Sequence, residues 1–171
     1  MTHVHVCPLS RVSATVSASG ASHLVSLIND QTPVTRPASI PRHNHLFLGI
    51  NDIIEPMDGM VLPAADHVRE LIDFVVGWDR TRPIVVHCYA GISRSTAAAF
   101  ITLCAVRPER SEADIATRMR AASPFASPNS RLVAIGDALL GREGRMVSAV
   151  EGIGRGEMAF ESVPFSLAVE D

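Results

Sequence analysis

Apolar and polar residues follow two different periods along the chain, and each change of period marks an element. His3-Val4-His5-Val6-Cys7 alternates with period two, as a strand does, and Pro8 ends it. Ser10 is placed to cap a short helix with Val12 and Val16 on one face, closed at Gly20, where a left-handed residue is cheap. His23 to Ile28 reads as a second strand, Asn29 to Arg42 with three prolines as a loop, and His45 to Ile50 as a third strand. The irregular stretch Asn51 to Leu62 follows. Val68, Leu71, Ile72, Val75 and Val76 then form one apolar stripe, which predicts a helix opened by Pro63 and ended by Gly77.

In the second half, Pro83-Ile84-Val85-Val86 is a continuous apolar run, as in a strand buried on both faces of a parallel sheet, and it ends at His87-Cys88. Ser95 to Val106 is Ala-rich and apolar almost all round, which predicts a central, buried helix. Ser111-Glu112-Ala113-Asp114 reads as a capping box for a helix with Ile115 and Met119 facing inward. Ser127-Pro128 is read as capping a further helix through Leu140, Arg145 to Ile153 as the last, and residues 157–171 as an acidic tail. Strands alternating with helices predict an α/β fold: a single domain with a four- to five-stranded, mostly parallel central sheet flanked by helices.

Composition agrees with one domain. The 171 residues are 47% apolar and 19% charged, below the usual ~25%, which argues against disorder. A net charge of −3 argues against a broad nucleic-acid-binding surface, which must neutralise many phosphates at once. All 15 basic residues are Arg. Without lysine there is no Walker A lysine, no Schiff-base lysine and no kinase-type strand lysine. Three widely spaced cysteines, Cys7, Cys88 and Cys104, make no disulfide scaffold, and no Cys-Cys or His-His pair has the spacing of a metal site. His3, His5, His43 and His45 are read as strand histidines, not ligands. The N-terminus lacks the basic and apolar regions of a signal peptide, and the longest apolar stretch, Ala97 to Val106, is about half a membrane span. A cytoplasmic protein without a membrane partner is expected; nothing in the sequence specifies an oligomeric state.

Chemistry concentrates in Val86-His87-Cys88-Tyr89-Ala90-Gly91-Ile92-Ser93-Arg94-Ser95, between the buried strand and the buried helix. A loop in that place turns successive backbone N–H groups, and the positive end of a helix dipole, into one concavity suited to an anion. The same amides and Arg94 would stabilise a thiolate at Cys88, making it a nucleophile. Arg94 offers a planar fork that bonds two phosphate oxygens and follows the charge through phosphoryl transfer. Gly91 lets the chain turn close to the anion, and Ser95 can hydrogen-bond the sulfur as it leaves phosphorus.

Cys88-x5-Arg94-Ser95 after an apolar strand and His87 resembles the signature of the cysteine-dependent protein tyrosine phosphatases, and Ala90 to Ser95 is most similar to their dual-specificity branch. The pattern also resembles a group of predicted bacterial tyrosine phosphatases. The resemblance covers Leu46 to Leu140 and, loosely, the N-terminal strands. It implies a phosphatase domain over residues 1–156, with Tyr89, Ala90, Gly91, Ile92 and Ser93 in the phosphate-binding loop and His87 shaping it. No cofactor or metal is implied, and the substrate would be a phosphorylated protein or peptide. It also implies a general acid, an aspartate on the loop after the strand that precedes the long helix. Asp52 lies nearest that strand; Asp58 is the alternative, with Glu55 behind both. Asn129 resembles a residue that braces the phosphate loop in this branch, and helix capping is an equal reading. Tyr89 to Ser93 holds no basic residue to meet the extra phosphates of a phosphoinositide. A phosphoprotein-binding module with slow turnover is the alternative to an enzyme. Cys7 is the one thiol read as able to trap an oxidised Cys88.

Overall fold

The computed structural model describes residues 1–170, which form one α/β domain of five strands and six α-helices. In chain order these are β1 (His3–Pro8), α1 (Val12–Ser19), β2 (His23–Ile28), β3 (His45–Gly49), α2 (Ala65–Val76), β4 (Ile84–Cys88), α3 (Arg94–Val106), α4 (Glu112–Ala122), α5 (Ser130–Leu139), α6 (Arg145–Ile153) and β5 (Phe165–Ala168). The sheet order is β3-β2-β4-β1-β5, parallel except for β5, which runs antiparallel to β1. The continuous apolar run of β4 is accounted for by its central place: all five of its residues are buried.

Alternation along the strands sorts the core into two layers. Val4, Val6, Val25, Leu27, Ile84 and Val86 pack with the helices α2 to α6, and Trp78 plugs this layer with its Nε1–H donated to the Arg82 carbonyl at 2.9 Å. Cys7, Leu24 and Val85 turn to the other face, where Val12 and Val16 of α1 and the buried Ile40 cover them. Helix α3 is buried from Arg94 to Cys104, as its apolar circumference requires.

Three expected features differ in the fold. Residues 157–171 are not simply a tail, because Phe165–Ala168 completes the sheet on β1, with Leu167 buried opposite Val4. A four-residue strand with one fully inward side chain carries almost no periodic signal; Asp171 lies outside the described residues. Helix α5 is capped by Asn129 instead of Ser127: its side chain accepts the Leu132 N–H at 3.0 Å. Ser10 likewise caps nothing; its hydroxyl donates to the Glu161 carboxylate at 3.0 Å.

The parallel strands β1, β2, β3 and β4 all end at one edge of the sheet. The loops after β1, β3 and β4 therefore meet where open α/β sheets hold their ligands. No helix among the described residues is long and apolar enough to cross a membrane.

Candidate active site

Cys88 is the last residue of β4 and Arg94 the first of α3, so the loop between them is fixed at both ends by the most buried strand and helix. Cys88 is 2% exposed. Its Sγ lies 3.1 Å from the Ser95 hydroxyl and accepts the Gly91 backbone N–H at 3.3 Å. Gly91 has φ of +71°, and a Cβ there would come within 2.8 Å of the β1 backbone, so only glycine fits this turn.

Arg94 is buried. One of its terminal nitrogens donates to the Ile50 carbonyl at 2.9 Å, while Nε has no hydrogen-bond partner among the described residues. A buried cation held at one corner only, at the end of a loop whose Gly91 amide turns to the Cys88 sulfur, is suited to an anion with several oxygens.

Asp52 sits at the mouth. Its Oδ1 accepts from the Ser93 hydroxyl at 2.7 Å and from the Asn129 side-chain amide at 2.9 Å. Asn129 Oδ1 caps α5, its Nδ2 donates to Asp52, and its backbone N–H donates to the Ser93 carbonyl at 3.2 Å. Asp52, Glu55, Met57, Ile92, Ser93 and Asn129 share the walls of an open cleft of about 760 Å³ with residues 155–159. Asp58 is exposed next to the turn at Gly59 and does not line that cleft. Tyr89 is exposed at the rim.

His87 faces away from the thiol, on the α1 side of the sheet. Its Nδ1 lies 3.0 Å from the Cys88 carbonyl and its Nε2 lies 2.6 Å from the Ser26 hydroxyl, which is 2.9 Å from His45 Nε2. A carbonyl only accepts, so Nδ1 carries the proton, Ser26 donates to Nε2, and His45 donates to Ser26. Burial pushes His87 down from 6.5 to about 4, against the hydrogen bond to Cys88 and helped by His45 and Arg94. Ser26 was missed in the sequence, although one serine in the apolar strand His23–Ile28 is a visible anomaly.

The suggestion that Cys7 traps Cys88 is corrected by the register. Cys7 pairs with His87 and Pro8 with Cys88, so Cys7 points to the α1 layer, opposite to the thiol it would have to reach. Burial pushes the Cys7 thiol up to about 12, which makes it a poor nucleophile as well.

The protein-tyrosine phosphatase family model matches residues 57–124, which include the whole loop from Cys88 to Ser95. No curated protein sequence matches the chain. Among solved structures it is similar to DUSP15, with a TM-score of 0.60 at 18% identity over 90% of this chain and 94% of that one. Human DUSP28 gives 0.61 at 18% identity over 81% and 94% of the two chains. The human tyrosine phosphatase-like serine/threonine/tyrosine-interacting protein gives 0.63 at 17% identity over 82% and 92%. At such identities the likeness is one of fold.

Proposed function

From a chain that matches the protein-tyrosine phosphatase family model and is similar to dual-specificity phosphatases in its loop and its fold, we propose a metal-independent phosphomonoesterase that hydrolyses phosphotyrosine in proteins, with phosphoserine and phosphothreonine as further candidate substrates. The observation that carries this reading is Cys88 Sγ within reach of both the Gly91 N–H and the Ser95 hydroxyl, with the buried, partly unpartnered Arg94 closing the same loop.

In the first step the Cys88 thiolate attacks phosphorus; the S–P bond forms as the bond to the substrate oxygen breaks, and Asp52 gives its proton to that oxygen. Arg94 and the loop amides take up the charge on the transferring group. In the second step water attacks phosphorus, Asp52 accepts a water proton, and the P–S bond breaks. The Ser95 hydroxyl donates to the departing sulfur, and inorganic phosphate leaves.

Hydrolysis of p-nitrophenyl phosphate in the presence of a chelator tests the proposal. Cys88→Ser is expected to reduce turnover to background while phosphate still binds. Survival of activity in Cys88→Ser, or a requirement for added metal, would overturn covalent thiolate catalysis.

One observation favours the second reading, a phosphoprotein-binding module: neither Cys88 nor Arg94 is among the residues that line the cleft shared by Asp52. In that case phosphate binds to the unmodified protein and neither aryl phosphate nor phosphotyrosine is turned over.

A further inference from the structure

Amides converge on an anion only if the carbonyls of the same loop turn outward, and each outward, buried carbonyl then needs a donor from elsewhere. Around Cys88–Arg94 one donor is the neighbouring His87 side chain and three come from separate segments. The Cys88 carbonyl has His87 Nδ1 at 3.0 Å, and the Tyr89 carbonyl accepts the Leu9 N–H at 3.0 Å. The Ile92 carbonyl accepts the Ser127 N–H at 3.0 Å, and the Ala90 carbonyl accepts the Ser162 N–H at 2.8 Å. The last donor lies in the stretch that separates α6 from β5.

The Ala90–Gly91 peptide is the one whose other end, the Gly91 N–H, points at Cys88 Sγ at 3.3 Å. In a planar trans peptide the C=O and the N–H point in opposite directions, so holding one aims the other. Ser162 therefore determines where the Gly91 amide points. It is itself firmly seated: 4% exposed, against the face of Gly91 so closely that a Cβ there would lie 2.5 Å from its Oγ. Its neighbour Glu161 accepts from Ser10 at 3.0 Å, and β5 three residues later pairs with β1 through Val6 and Phe165.

We propose that the segment Glu161–Ser162 is a brace of the phosphate loop, with Ser162 a positioning residue that aims the Gly91 amide at the Cys88 sulfur through its backbone N–H. The consequence for catalysis rests on the phosphatase reading; the consequence for the thiol does not. Without the brace, the Ala90–Gly91 peptide can rotate and the thiolate loses one charge-assisted hydrogen bond.

The experiment compares Ser162→Pro, which removes the N–H, with Ser162→Ala, which keeps it. Alkylation of Cys88 by iodoacetamide at neutral pH, followed by peptide mapping, reads the thiol, and p-nitrophenyl phosphate hydrolysis reads the reaction. In Ser162→Pro, alkylation and kcat are expected to fall about tenfold in a chain that still unfolds cooperatively, at a lower midpoint because the Ala90 carbonyl loses its donor; Ser162→Ala is expected to stay within about twofold of the parent. In the unmodified protein, inorganic phosphate is expected to slow amide exchange at Ser162 about tenfold, a readout that does not depend on the proline variant folding. Equal alkylation in a folded Ser162→Pro, equal damage from Ser162→Ala, or exchange at Ser162 indifferent to phosphate would each overturn the brace. If the unmodified protein leaves the aryl phosphate intact while Ser162→Pro still slows alkylation, the brace stands and the phosphatase reading falls.

Discussion

Both hydrogen bonds of Asp52 land on Oδ1, from Ser93 and Asn129, and Oδ2 has no hydrogen bond among the described residues. One oxygen fixes the carboxyl at the mouth, and the other is free to exchange a proton with a leaving group. If Asp52 is the acid, Asp52→Asn removes the descending, basic limb of the kcat pH profile. It should cost about 10²-fold or more on phosphotyrosine, within the range of general acid catalysis, and less on an aryl phosphate whose leaving group departs unaided. Asp58→Asn is expected to leave both profiles unchanged, since Asp52 is the aspartate hydrogen-bonded to Ser93 of the loop and to Asn129. Measuring both variants on both substrates separates the two aspartates; a basic limb that survives Asp52→Asn would remove Asp52 from the mechanism. Sequence spacing alone left the two as rivals because they share one irregular stretch. They are separated by Asn129, 77 positions beyond Asp52, and a contact so distant along the chain has no local signature.

At the scale of elements, β2, β3 and β4 are joined on the α1 side by the hydrogen-bonded series His45, Ser26 and His87 that ends on the Cys88 carbonyl. His87 binds its proton at about 4 in the fold against 6.5 when exposed. Between these values the unfolded chain holds more protons, so stability is full above about 6.5 and is lost as the pH falls toward 4. The loss from this group is on the order of 3 kcal/mol. Urea unfolding midpoints should therefore drop through that window, and His87→Gln should flatten most of the slope. A remainder is left by His5, His23 and His45, which burial also lowers. A slope that His87→Gln does not change would show that this imidazole binds its proton equally well in the folded and unfolded chain. Of these elements, β4 and α3 were readable because burial on every side leaves an apolar run. The short β5 was not, since its pairing is carried by backbone groups and one inward leucine.

Across the whole molecule, the site is assembled from the ends of β1, β3 and β4, the cap of α5 and the stretch before β5. Cys88, Arg94 and the loop between them lie together in the sequence, so their candidate chemistry could be read directly. The braces act largely through backbone N–H groups of Leu9, Ser127 and Ser162, which any residue but proline supplies, and so leave no mark in the residue pattern. The β1–β5 pairing also has a kinetic meaning. It joins His3–Val6 to Phe165–Ala168, so the ring it closes runs through almost every other element, and closing a ring of that size costs the most chain entropy before any contact rewards it. Helices α2 to α6 and the parallel strands can form first. On dilution from denaturant, helical circular dichroism should recover ahead of the native rate of Cys88 alkylation, with a lag set by the docking of β5; simultaneous recovery would show that β5 docks along with the rest. A chain caught between the two would be nearly native by spectroscopy yet carry an unshaped loop.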